Sequence, residues 1–227
     1  MTSQTIQIGS NLCRIYGEAN AEYLLLQMTD EHELQSMDNE VDAIAQSAPQ
    51  LLFAAIPVTN WNNDLSPWKA PAAWGKQGFG GNAADTLCFL TEQVIPTLKR
   101  RFNLPESVKI ILGGYSLAGL FALWATTQTN LFYGIAAASP SVWFPGWMEF
   151  EQQHSIHAQR IYLSLGDKEE CTKNPVMATV SDHICSLHSH LVKRGIDCIL
   201  EWNSGGHFKI ADLRTARAFQ WVMEEHS

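Results

Sequence analysis

One stretch, Val108-Lys109-Ile110-Ile111-Leu112-Gly113-Gly114-Tyr115-Ser116-Leu117-Ala118-Gly119-Leu120, constrains this chain more than any other. Its opening residues are aliphatic but for one lysine, which suits a buried strand. From Leu117 onward the pattern is that of a helix. Strand and helix are therefore joined by a turn of very few residues, and G-x-S-x-A places small residues on either side of Ser116 so that the chain can make it. A serine at such a turn stands above the sheet. The first amides of the helix point at the same place, so the Leu117 N–H can stabilise an oxyanion there. The competing reading of Ser116 is a residue that only caps the helix; its position between a strand and a helix favours a nucleophile.

The rest of the chain alternates short apolar runs with longer amphipathic segments, the pattern of a mostly parallel α/β sheet with helices on both faces. Strands are predicted at Thr5 to Ile8, Leu12 to Tyr16, Tyr23 to Gln27, Leu51 to Pro57, Val108 to Leu112, Gly134 to Ala138, Arg160 to Leu165 and Cys198 to Asn203. Helices are predicted at Asp38 to Ser47, Ala83 to Phe102, Leu117 to Thr127, Val176 to Arg194 and Ala211 to Glu224. Pro96 should kink or shorten the second of these, since proline removes an amide donor and clashes with the preceding turn. With no repeat, linker or low-complexity tract, residues 1–227 are expected to form one domain.

A serine hydroxyl needs a base. His207 follows a strand and the tight Ser204-Gly205-Gly206 loop and precedes the last helix, so it belongs to the carboxyl edge of the sheet, where loops meet. His32 and His226 lack such a frame, and His183, His188 and His190 are expected as solvated residues of one helix, since no carboxylate or cysteine stands at zinc-ligand spacing. A third group must orient the imidazole. Gly166-Asp167-Lys168-Glu169-Glu170 offers it after the strand ending at Leu165, and spacing alone leaves Asp167 and Glu169 both in contention. The order serine, acid, histidine is that of α/β-hydrolases.

Other chemistries find little support. The formal charge of −8, with no basic run longer than Lys99-Arg100-Arg101, argues against a nucleic-acid partner. Gly78-Phe79-Gly80-Gly81-Asn82-Ala83 has the spacing of a dinucleotide fingerprint but follows a Pro- and Trp-rich loop instead of a strand, so it is taken as a turn feeding a helix. Five widely spaced cysteines without a C-x-x-C pair suggest reduced thiols and a cytoplasmic protein, and no metal or organic cofactor is implied. The start of the chain has no signal-peptide pattern and no segment has the ~20 apolar residues of a bilayer span, so neither export nor a membrane partner is expected.

Three stretches resemble the esterase D or putative-esterase family of α/β-hydrolases, which includes siderophore esterases, feruloyl esterases, S-formylglutathione hydrolases and mycolyltransferases. They are Gly114 to Leu123, Leu131-Phe132-Tyr133-Gly134 with Ala138-Ser139-Pro140-Ser141-Val142-Trp143, and Gly205-Gly206-His207-Phe208. The resemblance implies an α/β-hydrolase fold and an acid three residues after a glycine, hence Glu169 over Asp167. Where such chains commonly have L-L-D-G, this one has Leu25-Leu26-Gln27-Met28-Thr29. That register implies the Thr29 amide as the second oxyanion donor.

Only 21 residues separate the strands ending at Ala138 and starting at Arg160, too few for a large helical lid. Trp61, Trp68, Trp74, Trp143 and Trp147 fall in loops of the carboxyl edge. They are expected either to plug the core beneath those loops or to line an open acyl groove, with Trp61, Trp68 and Trp143 the pocket candidates. The expected activity is cleavage of a small-molecule carboxylic ester through an acyl-enzyme on Ser116. Acyl transfer, amide cleavage by the same residues and a non-catalytic binding module remain the alternatives, and oligomeric state is left open.

Overall fold

The computed structural model describes residues 1–46, 50–73 and 75–224; the helix end expected at Ser47, and Trp74 and His226, lie outside them. Eight strands form one sheet: β1 (Ser3–Ile8), β2 (Asn11–Gly17), β3 (Tyr23–Thr29), β4 (Leu51–Pro57), β5 (Lys109–Tyr115), β6 (Gly134–Ala138), β7 (Arg160–Gly166) and β8 (Asp197–Asn203). Their spatial order is β1-β2-β4-β3-β5-β6-β7-β8. The β1–β2 and β2–β4 pairs are antiparallel, and every pair from β4 through β8 is parallel. All eight expected strands are present. The interior ones, β3, β5, β6 and β7, are almost wholly buried, which is why they appear in the sequence as unbroken apolar runs.

Among the described residues, six helices of seven residues or more flank the sheet. These are α1 (Glu33–Ala45), α2 (residues 83–101), α3 (Leu117–Ala125), α4 (Trp147–Gln153), α5 (Val180–Lys193) and α6 (Ala211–Met223). Met37, Val41 and Ile44 of α1 and Phe219, Val222 and Met223 of α6 pack on one face with Leu25, Phe53 and Tyr162. The other face packs Leu90, Val94 and Leu98 of α2, the whole of α3, and Ile184, Leu187 and Leu191 of α5 against Leu24, Leu26 and Leu112. Truncating one of these fully buried leucines to alanine should cost about 2 to 5 kcal/mol.

Two expectations about helices are corrected. The first helix starts at Glu33, five residues before the expected Asp38. The cause is a reciprocal cap: the Glu33 amide donates to Asp30 Oδ1 at 2.7 Å and the Asp30 amide donates to Glu33 Oε2 at 3.3 Å. Pro96 does not shorten its helix, because a π-helical turn at Leu90–Val94 precedes it and places the proline in the first turn of Ile95–Arg101, where its missing donor is not needed. Three short features escaped the periodicity: α4, a four-residue helix at Trp61–Asp64, and an antiparallel two-residue ladder between Lys69–Ala70 and Phe79–Gly80. The second strand of that ladder lies within the glycine-rich segment, which turns at Gly81 (φ +83°) and runs into the helix at Ala83, as a connector would.

Among the described residues there is no large lid. The β6–β7 connection carries only α4, tied down by Glu151, whose fully buried carboxylate accepts from Arg194 Nη1 at 3.1 Å and faces His190 Nδ1 at 3.2 Å on α5. His183 and His188, expected as solvated, are half-buried and face the Val142 and Cys198 carbonyls at 3.1 and 3.3 Å.

Candidate active site

The strand register decides which loops meet. Tyr115 pairs with Ala138, Ala138 with Ser164, and Gly166 with Asn203. The residues that follow β5, β6, β7 and β8 therefore leave the sheet at neighbouring points on its carboxyl edge. Ser116, Ser139, Glu169 and His207 arise from those four exits.

Ser116 sits between β5 and α3 with φ 56° and ψ −118°, a conformation that costs a non-glycine residue on the order of 1 to 3 kcal/mol. Backbone bonds hold it there: its amide donates to the Ala138 carbonyl at 3.1 Å, and its carbonyl accepts from the Ser141 amide at 3.0 Å. The small flanking residues are required by packing. A Cβ on Gly114 would stand 2.5 Å from the Ala118 Cβ. The Ser116 hydroxyl emerges within 3.0 Å of His207 Nε2 and 3.2 Å of Ser141 Oγ.

On the other side of the imidazole, His207 Nδ1 lies 2.7 Å from Glu169 Oε2. The second carboxylate oxygen, Oε1, accepts from the Gly166 amide at 2.7 Å, Ser139 Oγ at 2.8 Å and Arg214 Nη1 at 3.0 Å. Burial works to raise the Glu169 pKa, but the hydrogen bond and charge of His207, with the Gly166 and Ser139 donors, outweigh it, so the carboxyl is held below its usual range and stays ionised. The approach of Gly166 is tight. A Cβ there would lie 2.3 Å from the Gly205 carbonyl oxygen and 2.9 Å from Glu169 Oε1. That contact is a physical reason for an acid three residues after a glycine.

Asp167 is placed elsewhere. Its Oδ1 accepts the Gly205 amide at 2.7 Å, and its own amide donates to the Asn203 carbonyl at 2.8 Å. Of the two contending acids, Glu169 is thus the one beside the imidazole, while Asp167 braces the loop that carries His207.

Leu117 is the first residue of α3, at the end whose amides lack intrahelical acceptors. Thr29 ends β3, the strand hydrogen-bonded to β5, and is fully buried. Trp143 is 5% exposed and packs near Phe79, with ring centroids 6.3 Å apart. Its indole fills the core beneath its loop, as does that of fully buried Trp147. Trp61 and Trp68 are half-buried, and Trp68 Nε1 donates to the Pro145 carbonyl at 2.9 Å. Sequence reasoning missed Ser139 and Ser141 as polar contacts of the site, and it missed Arg214 altogether. Among the described residues, no group of three or more His, Cys, Asp or Glu could hold a metal ion.

Comparisons with known proteins identify the family and the fold. A family model described as putative esterase matches residues 23–208. The solved IroE-like serine hydrolase from Shewanella oneidensis superposes with a TM-score of 0.80 at 16% identity, over 97% of this chain and 79% of that one. The siderophore hydrolase EstA from Aspergillus nidulans gives 0.71 at 18% identity, over 97% and 93%. The Bacillus cereus carboxylesterase gives 0.63 at 12%, over 94% of each chain. At these identities the likeness is one of fold. A search of curated proteins by sequence gave no match.

Proposed function

The chain belongs to the putative esterase family, and from that membership we propose how this carboxylic ester hydrolase carries out its reaction. Ser116 attacks the acyl carbon while His207 Nε2 takes the hydroxyl proton and then delivers it to the departing alcohol. A water activated by the same imidazole releases the acid from the acyl-enzyme. Glu169 holds the Nδ1 proton and so keeps Nε2 free to act as a base. The amides of Leu117 and Thr29 receive the oxyanion. Gln27 and Met28 stand where L-L-D-G is common, but a backbone donor at Thr29 tolerates that change in side chains.

The observation that carries this reading is the continuous contact from Ser116 Oγ to His207 Nε2 at 3.0 Å and from His207 Nδ1 to Glu169 Oε2 at 2.7 Å. Further support comes from the strained Ser116 backbone, the kind of outlier that persists where surrounding structure enforces it. The substrates are small esters with short or aromatic acyl groups, taken at an open edge bordered by half-buried Trp61 and Trp68. Residues 1–227 act as one hydrolase domain built on the single large sheet. We place the protein in the cytoplasm on the strength of its five unpaired cysteines; among the described residues no helix is long and apolar enough to cross a membrane.

The test is a fluorophosphonate probe together with Ser116→Ala. The wild-type protein should be labelled at Ser116. The variant should fold, escape labelling, and lose on the order of 10⁶ in kcat on an activated ester. Wild-type turnover by Ser116→Ala rules the scheme out.

A further inference from the structure

A guanidinium with no exposure to solvent lies against the carboxylate of Glu169. Arg214 is on the first turn of α6, and its side chain is fully buried. Nη1 is 3.0 Å from Glu169 Oε1, 3.1 Å from Tyr115 Oη and 3.4 Å from Ser139 Oγ. Nη2 donates to the Ser204 carbonyl at 3.3 Å. Tyr115 in turn donates its phenolic proton to the His207 carbonyl, and burial pushes its pKa up, so the phenol remains a donor. One cation therefore reaches the acid directly, and reaches the backbone carrying the base by two routes, through Tyr115 and through Ser204.

Stability alone is a weak reason for such a group. A buried ion pair often does no better than well-packed apolar residues of the same volume, because desolvating both charges offsets their attraction. What the pair supplies is geometry: a planar fork with several donors at fixed angles. We infer that Arg214 is a positioning residue for ester hydrolysis, fixing the Glu169 carboxylate and the Ser204 to His207 segment together so that both imidazole nitrogens meet their partners in one conformation. This rests on the roles proposed above for Ser116, His207 and Glu169.

Charge and fork can be separated. Arg214→Lys keeps a cation beside Glu169 but not the fork, while Arg214→Met removes both. The other titratable or charged groups on the elements that meet at the His207–Glu169 pair are unchanged in these variants: Tyr115 at the end of β5, Asp167, Lys168 and Glu170 after β7, Lys209 beside Gly205, and Asp212 in the first turn of α6. In Arg214→Met the Glu169 anion faces the imidazole without the guanidinium that opposes it, so the acidic limb of kcat/KM should move up. The plateau kcat should fall on the order of 100-fold with KM within about twofold, as for a misplaced catalytic group. In Arg214→Lys the limb should stay with the wild type while kcat falls about tenfold.

The experiment is a set of kcat and kcat/KM profiles against pH on the full chain, with thermal melts to establish folding. Tyr115→Phe is included because it leaves the guanidinium in place and removes only the hydroxyl between it and His207. It should lower kcat severalfold without moving the limb. An unmoved limb in folded Arg214→Met, an equal shift in Arg214→Lys, or wild-type kcat in Tyr115→Phe overturns the inference. If Arg214→Met does not fold, the other two variants decide. Activity retained by Ser116→Ala defeats the parent scheme instead, so the two failures are distinguishable.

Discussion

Asp167 Oδ1 accepts the amide of Gly205 at 2.7 Å, two residues before His207. Nearness in sequence made Asp167 and Glu169 rivals; in the fold they act on different parts of one loop junction. Glu169→Gln should leave the fold unchanged and lower kcat on the order of 10⁴-fold, since an amide no longer favours the tautomer with its proton on Nδ1. Asp167→Asn keeps an oxygen for the Gly205 amide and should change kcat only a fewfold. Measuring both at saturating ester decides, and a crippled Asp167→Asn beside an active Glu169→Gln reverses the assignment.

The Ser139-Pro140-Ser141 turn touches both ends of the same relay. Ser139 Oγ is 2.8 Å from Glu169 Oε1, and Ser141 Oγ is 3.2 Å from Ser116 Oγ. Glu169 keeps two other donors on that oxygen without Ser139, so Ser139→Ala should cost only a fewfold in kcat. Ser141→Ala removes the Ser141 hydroxyl from Ser116 and leaves the His207 contact in place, and should cost about tenfold in kcat, the value of one hydrogen bond of about 1 kcal/mol or slightly more. Steady-state kinetics on both variants, with KM unchanged, is the check. A larger effect at Ser139 than at Ser141 reverses the order argued here.

These serines show where sequence reasoning stopped. Apolar runs made the eight strands legible because interior strands are buried on both faces, and G-x-S-x-A was legible because its requirements are local. The start of α1 was legible in principle as Asp30-x-x-Glu33, a capping-box spacing that hydrophobic periodicity passes over. Contacts of Ser139 and Arg214 with Glu169 are set by the register of β6 against β7 and by the docking of α6, neither of which leaves a local mark. Arg214 did carry one signal: it shares the helical stripe of Ala218 and Trp221, both buried, so a cation stood on the apolar side of an amphipathic helix. The tryptophans could not be sorted in advance, since loop composition is the same whether an indole faces the core, as Trp143 does, or remains half-exposed.

The short β6–β7 connection predicts how the enzyme meets its substrate. It carries one seven-residue helix, α4, whose Glu151 is anchored by Arg194. No segment of that connection is available to open at a lipid surface. A series of acyl chain lengths should show kcat/KM favouring short or aromatic groups, with no jump in rate at the micelle threshold. A clear preference for chains beyond ten carbons, or such a jump, defeats this prediction.

Stability against pH should reflect two opposing kinds of carboxyl group. Burial, aided by the nearby Asp30 charge, pushes Glu33 from 4.5 up to about 8, and fully buried Glu40 is likewise pushed well up, first by burial and then by Glu33. A raised carboxyl binds its proton more tightly when folded, so the stability it contributes is complete below about 4.5 and is lost as pH rises through about 8. Glu169 has the opposite sign: its lowered pKa contributes stability above the ordinary carboxyl range, lost as pH falls through its depressed value. The melting temperature should therefore decline from pH 5 to pH 8. Glu40→Gln, which cannot ionise, should flatten that decline and gain stability relative to wild type at pH 8, while Glu169→Gln should reduce the loss on the acid side. Thermal melts across pH 3 to 9 test both signs, and a wild-type melting temperature that climbs steadily from pH 5 to 8 contradicts the buried-acid account.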